Sequence, residues 1–312
     1  MCSKLLEKFV FAISVSSACA VVHAGELTEV TNEVNAEPDA SIPLLAVDGP
    51  EMASFYYDYV GEMDFEDESG SYNLNAFRLQ SPIAGAYDDG FGWGVDVFLE
   101  YTDFNVKDQP ALEDLDLYRI GMDLNFIWLN VKGSKWSPVL RLSPSLSSDF
   151  ESVSTDDFRM TATAGAFYQQ RSNLKWLFGI FYTNNYYSDK WNSFFMLPVV
   201  GFSWQPADCY DITALGPRID FSYLPNDDWK IGAFFAARSR NWNTEGDNSF
   251  QVSAYIVGAR LDYQLVEDCW IIGEAGMTIN NSVDVYDRHD RELFSEDADA
   301  GVFASVGLRY RF

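Results

Sequence analysis

The carboxyl-terminal eleven residues constrain this chain most. Counting back from the end, Tyr310, Leu308, Val306, Ala304 and Val302 take every second position, and Arg311, Arg309, Gly307 and Ser305 take the alternate ones. A period of two is the mark of a strand with one apolar and one polar face. The pattern then recurs through the chain. Phe91, Trp93, Val95, Val97, Leu99 and Tyr101 oppose Gly94, Asp96, Glu100 and Thr102, while Tyr118, Ile120, Met122, Leu124, Phe126 and Trp128 oppose Arg119, Gly121, Asp123 and Asn125. Six apolar residues on one face are enough to cross a hydrocarbon layer at the usual strand tilt.

Past the amino terminus, no run approaches the roughly 18 to 20 apolar residues that a membrane helix needs. A chain of this kind enters lipid only as a closed barrel, because an open sheet edge has no partner there. The aromatic content of 16% argues against disorder, and a net charge of −26 argues against a nucleic-acid partner.

Lys4 and Lys8 precede an apolar run from Phe9 to Val22 and a small-residue site at Val22-His23-Ala24. Residues 1–24 read as a secretory signal peptide cleaved after Ala24. Residues 25–51 carry seven acids, no aromatic residue, and Pro38, Pro43 and Pro50, the composition of a mobile tail. Residues 52–312 are then the barrel. Cys209 and Cys269 remain after cleavage and read as two unpaired thiols.

Pro138 and Pro144 lie in the fifth segment, where a residue without an N–H predicts a bulge or break. Gly216-Pro217 splits the stretch from Cys209 to Leu224 into a short hairpin of Ile212 to Leu215 and Arg218 to Tyr223. The fold class is therefore all-β, an antiparallel transmembrane barrel of about 14 strands. The alternative is 12, reached if the poorly alternating first pair stays out of the wall.

An apolar-faced last strand ending in Phe312 resembles the closing strand of bacterial outer-membrane β-barrels, porin-like and of uncharacterised type. The resemblance implies that Phe312 is an insertion signal read by the barrel-insertion machinery. It also implies an outer-membrane location with lipid as partner and with the tail and carboxyl terminus in the periplasm. Counted back from that end, the short turns near Asp89, Lys132, Ser172, Ala207, Asn226 and Glu267 fall on the periplasmic side, and the long loops fall outside. Trp93, Trp128, Trp136, Trp176, Trp204 and Trp229 then form a membrane-interface girdle at the periplasmic rim. Trp270 has inward parity, and Trp191 and Trp242 lie at the other end.

Parity turns Arg119, Arg141, Arg159, Lys175, Arg218, Lys230, Arg238, Arg240, Arg260, Arg309 and Arg311 toward the lumen. The inward acids are Asp96, Glu100, Asp123, Asp220, Asp262 and Glu274. Two readings follow: a passive channel whose basic lumen favours small anionic solutes, or a set of arginine–carboxylate pairs that closes and braces the barrel. A surface-binding role of the outer loops is a third. An enzyme is not expected, since the one histidine past the signal peptide, His289, sits in the loop Asp287-Arg288-His289-Asp290. No cofactor or metal is expected either. The acidic runs Asp64 to Glu68 and Glu296 to Asp299 lack the ligand spacing of a calcium loop.

Overall fold

The computed structural model describes residues 52–311 apart from positions 89, 130–132, 152–153, 185–194, 246–247, 288 and 290. The expected signal peptide and acidic tail, Trp191 and Phe312 lie outside the described residues. The strands are β1 (Met52–Asp64), β2 (Ser71–Asp88), β3 (Phe91–Lys107), β4 (Leu115–Trp128), β5 (Trp136–Ser148), β6 (Phe158–Arg171), β7 (Leu174–Thr183), β8 (Phe195–Ala207), β9 (Tyr210–Leu215), β10 (Arg218–Asn226), β11 (Trp229–Thr244), β12 (Asn248–Val266), β13 (Cys269–Tyr286), β14 (Glu292–Ala298) and β15 (Gly301–Arg311).

Successive strands pair antiparallel, and β15 pairs with both β13 and β1, which closes the ring. β13 pairs with β15 over Cys269 to Thr278 and with β14 over Asn281 to Tyr286. β14 and β15 thus share one wall position, and the barrel has 14 strands. β1 and β2 belong to the wall, so the twelve-strand alternative falls.

One rim carries tight turns, such as Ser172-Asn173 between β6 and β7 and Glu267-Asp268 between β12 and β13. The other carries the longer connections together with two short ones: the expected Gly216-Pro217 turn between β9 and β10, and residues 245–247 between β11 and β12, where the sequence reading expects a longer loop.

The outer surface is apolar along the wall: Ile120, Phe178, Ile180, Phe221, Ile231, Val257, Val306 and Leu308 are all exposed. Trp93, Trp128, Trp136 and Trp204 are exposed near the turn rim, and Trp176 and Trp229 lie half-buried beside them. A soluble domain would bury these side chains, whereas hydrocarbon asks for them on the outside. The chain has the architecture of an outer-membrane β-barrel.

Toward the loop rim the inside changes character. Phe104, Leu117, Trp242, Phe250 and Val283 are almost wholly buried and pack with Met63, Phe65 and Tyr72 into an apolar core. Two irregularities help build it. Pairing shifts between Val60 and Met63 on β1, and on β13 it shifts around Asn280, whose φ of 51° is left-handed. Each extra residue swaps the faces of the strand beyond it. Met63 and Val283 are thereby turned inward.

The prolines of β5 act on one side only. Pairing with β6 runs without a shift from Trp136 to Leu146. On the β4 side it lapses between Gly121↔Ser145 and Leu124↔Leu142 and resumes in the same register. The structure thus has a break and no bulge, as expected where Pro144 has no N–H to donate.

Candidate functional site: the barrel interior

Asp58 of β1 anchors the middle of the interior. Its carboxylate lies 3.0 Å from Arg78 Nε, 3.0 Å from Arg238 and 3.6 Å from Arg240, and it accepts a hydrogen bond from Ser305 at 2.7 Å. Arg240 also meets Glu100 at 2.7 Å. Glu274 of β13 is a second centre, 2.8 Å from Arg218, 3.5 Å from Arg260 and 4.0 Å from Arg238. Arg218 and Arg260 each hold a carboxylate two residues along their own strand, Asp220 at 2.8 Å and Asp262 at 2.7 Å. Residues two apart share a face, which puts cation and anion side by side without bending the backbone.

A third group lies on β3 to β5. Arg141 pairs with Asp123 at 2.5 Å, and Ser143 donates to the same carboxylate. Asp96 accepts from Asn125 at 2.9 Å.

The remaining arginines found other partners. Arg119 makes no ion pair among the described residues; it donates to Ser145 Oγ at 3.4 Å and lies 4.9 Å over the Phe98 ring. Arg159 donates to Asn241 Oδ1 at 3.0 Å, and Arg309 to the Tyr56 hydroxyl at 3.2 Å. Lys230 meets Asp211 at 3.4 Å, and Lys175 is half-buried. Arg311 is exposed at the turn rim, outside the network. Parity alone would have found Asp58, which alternates with Phe55, Tyr57 and Tyr59, but the sequence reading passed over it. Arg78 lies in the irregular second strand and gave little signal.

The interior is not charged throughout. In the sector from β5 to β9 the inward side chains Val139, Phe167, Leu177 and Leu215 form a buried apolar cluster with Val199 packed against it. Between the ionic layer and the apolar core of the loop rim lies a cavity of about 40 Å³ bordered by Asp58, Arg238, Arg240 and Trp242.

His289 is exposed in its loop. Its Nδ1 stands 3.9 Å from Asp287, whose carboxylate is already taken by Arg291 at 2.7 and 2.5 Å. Cys209 and Cys269 are both free thiols.

A closed antiparallel barrel with an apolar outside and an ionic inside defines the class: a transmembrane β-barrel of the outer-membrane type. The family model described as "Domain of unknown function (DUF6268)" matches residues 58–311, and the chain belongs to that family. A search of curated proteins returns no match. Among solved structures, the chain is similar to the COG4313 outer membrane channel from Pseudomonas putida F1, with 8% identity, a TM-score of 0.46, and coverage of 90% of this chain and 100% of that one. The NanC porin gives 10% identity and a TM-score of 0.40, over 83% of this chain and 100% of that one. The toluene transporter TodX of P. putida gives 10% and 0.41, over 86% and 92%.

Proposed function

We propose that this protein is a passive channel of the bacterial outer membrane for small solutes, with a preference for anions. The observation that carries the reading is the interior itself. Inward cations (Arg78, Arg119, Arg141, Arg159, Arg218, Arg238, Arg240, Arg260, Arg309, Lys175 and Lys230) outnumber inward carboxylates (Asp58, Asp96, Glu100, Asp123, Asp211, Asp220, Asp262 and Glu274). A barrel built only to be braced would balance them. The surplus leaves positive potential along any water path, as rings of charge do in selective pores. Arg119, tied to a hydroxyl and a ring and making no ion pair among the described residues, contributes to that surplus.

The opposing reading is a closed barrel. The apolar core at the loop rim favours it, since Trp242, Phe104 and Phe250 are buried together inside the wall there. No catalytic role enters our reading: Asp287 is committed to Arg291, and His289 is solvated.

The test is recording in planar bilayers with purified, folded protein. Discrete conductance steps with a reversal potential favouring anions are expected, together with a smaller anion preference in Arg119→Ala. Absence of steps would favour the closed barrel, and a cation preference would remove the anionic part of the proposal.

A further inference from the structure

The wall is not of even height. β9 has only six residues. At a rise of about 3.3 Å per residue and a tilt near 40°, β9 climbs roughly 15 Å and the nine-residue β10 roughly 23 Å, against an apolar band about 25 Å tall. The Gly216-Pro217 turn therefore ends the β9–β10 wall near the upper edge of the apolar band. The neighbouring strands continue past it. β8 pairs with β9 only from Ala207 to Phe202, although β8 runs on to Phe195. β11 pairs with β10 up to Ala236, and Ala237 N–H donates to Pro217 O at 2.8 Å. Beyond that point β11 bends across to β5, pairing Asn243 with Ser148, and Ser147 donates to Asn241 O at 2.6 Å. Among the described residues a side gap is left, with the hairpin turn below, upper β8 on one flank and upper β11 on the other.

On the β8 flank the outward residues Met196 and Val200 are apolar and exposed, while on the β11 flank the outward residue above the turn is the exposed Ser239. Leu197 is exposed too, at 42%, although its register with Phe181 turns it inward. An inward side chain this open borders free space. Strand edges in hydrocarbon are tolerated only where they line a water-filled cavity or are covered by protein. Toward the loop rim, an apolar core contributed by β1–β4 and β11–β14 lies above a cavity of about 40 Å³.

We infer that solute leaves and enters the barrel sideways, through the gap above Gly216-Pro217, and that its class is the small amphipathic anion. The inference rests on the channel reading and gives it a route. Two linings meet at the gap. Val199 and Leu215, continuous with Phe167 and Leu177, suit an apolar body. Arg218 beside the turn and Arg238 above it suit an anionic head. Neither lining reaches the loop rim along the axis.

The experiment uses the full mature chain in proteoliposomes, with Cys209→Ser and Cys269→Ser, and radiolabelled naphthalene sulfonate as the permeant. Single cysteines at Leu197, Ser239 and Ile120 are each labelled with a bulky maleimide. Leu197 and Ser239 flank the gap, and Ile120 is exposed to lipid on β4, away from it. Labels at Leu197→Cys and Ser239→Cys are expected to reduce flux about tenfold or more, as a blocked constriction does, and the label at Ile120→Cys to leave it unchanged. Flux that persists under both flanking labels, or that falls equally with the Ile120 label, overturns the side route while the channel stands. Absence of flux through unlabelled protein overturns the channel and the route together.

Discussion

Asp58 faces three guanidiniums at once; Arg240 has Glu100 as a closer partner, but Arg78 and Arg238 each have their shortest ion pair with Asp58. Removing one partner of a buried ion pair leaves charge with neither water nor counter-ion, at a cost of about 3–5 kcal/mol. Asp58→Ala is expected to lose stability in that range, read as a shift of the urea midpoint in lipid vesicles, with Asp58→Asn nearly as costly. Asp287 is a different case, because it organises a loop in water. The Arg291 backbone N–H, with its guanidinium and the His289 N–H, holds the carboxyl down to about 2, from an ordinary value of 3.8. The sign follows from the depression: the loop is fully supported above the ordinary value and loses that support as pH falls toward about 2. Pepsin, active across this window, should cut at the loop increasingly as pH falls, and Asp287→Asn should be cut equally throughout. At this scale the sequence was legible wherever alternation was clean. Arg141, Arg238 and Arg260 were assigned by parity, whereas Arg78 was lost because β2 mixes Gln80, Ser81 and Pro82 into its alternation.

Gly216-Pro217 was readable because neither residue belongs in the middle of a central strand, and the hairpin lies where that pair requires it. The break in β5 was readable for the same reason, but its one-sidedness was not. That depends on which neighbour faces the missing N–H, a property of the ladder and not of the segment. Gly121 records the consequence. An added Cβ there would lie 2.5 Å from the Pro144 carbonyl oxygen and 2.6 Å from the Phe98 ring. Overpacking of this kind costs about 1–3 kcal/mol. Gly121→Ala should therefore lower the unfolding midpoint, with Gly273→Ala as a contrast in which an added Cβ meets no neighbour within 4 Å. Equal effects from the two would mean that the approach of β5 to β4 is not tight.

Across the whole molecule, one rule of polarity holds in lipid and reverses in water. In the apolar belt, outward Ile120, Phe178 and Val257 oppose inward Arg119, Lys175 and Arg260. Beyond the belt on the loop side, water surrounds the wall and the inside becomes the apolar place, so Phe104, Leu117 and Trp242 are buried. Parity cannot signal this, because the inward positions stay inward while the preferred residue changes. Trp242 thus read from sequence as a rim tryptophan and is instead part of a core. The reversal also carries an orientation. We propose that the rim with its own packed core, buried Asp157 and an Asp287 held by Arg291 faces the outside, and that the tight turns with their tryptophan girdle face the periplasm. With Cys209 and Cys269 replaced by serine, His289→Cys should react with a membrane-impermeant maleimide on intact cells. Ser172→Cys, in the β6–β7 turn, should react only after the outer membrane is permeabilised. The opposite pattern would put the carboxyl-terminal strand end outside the cell and reverse every side assigned from it.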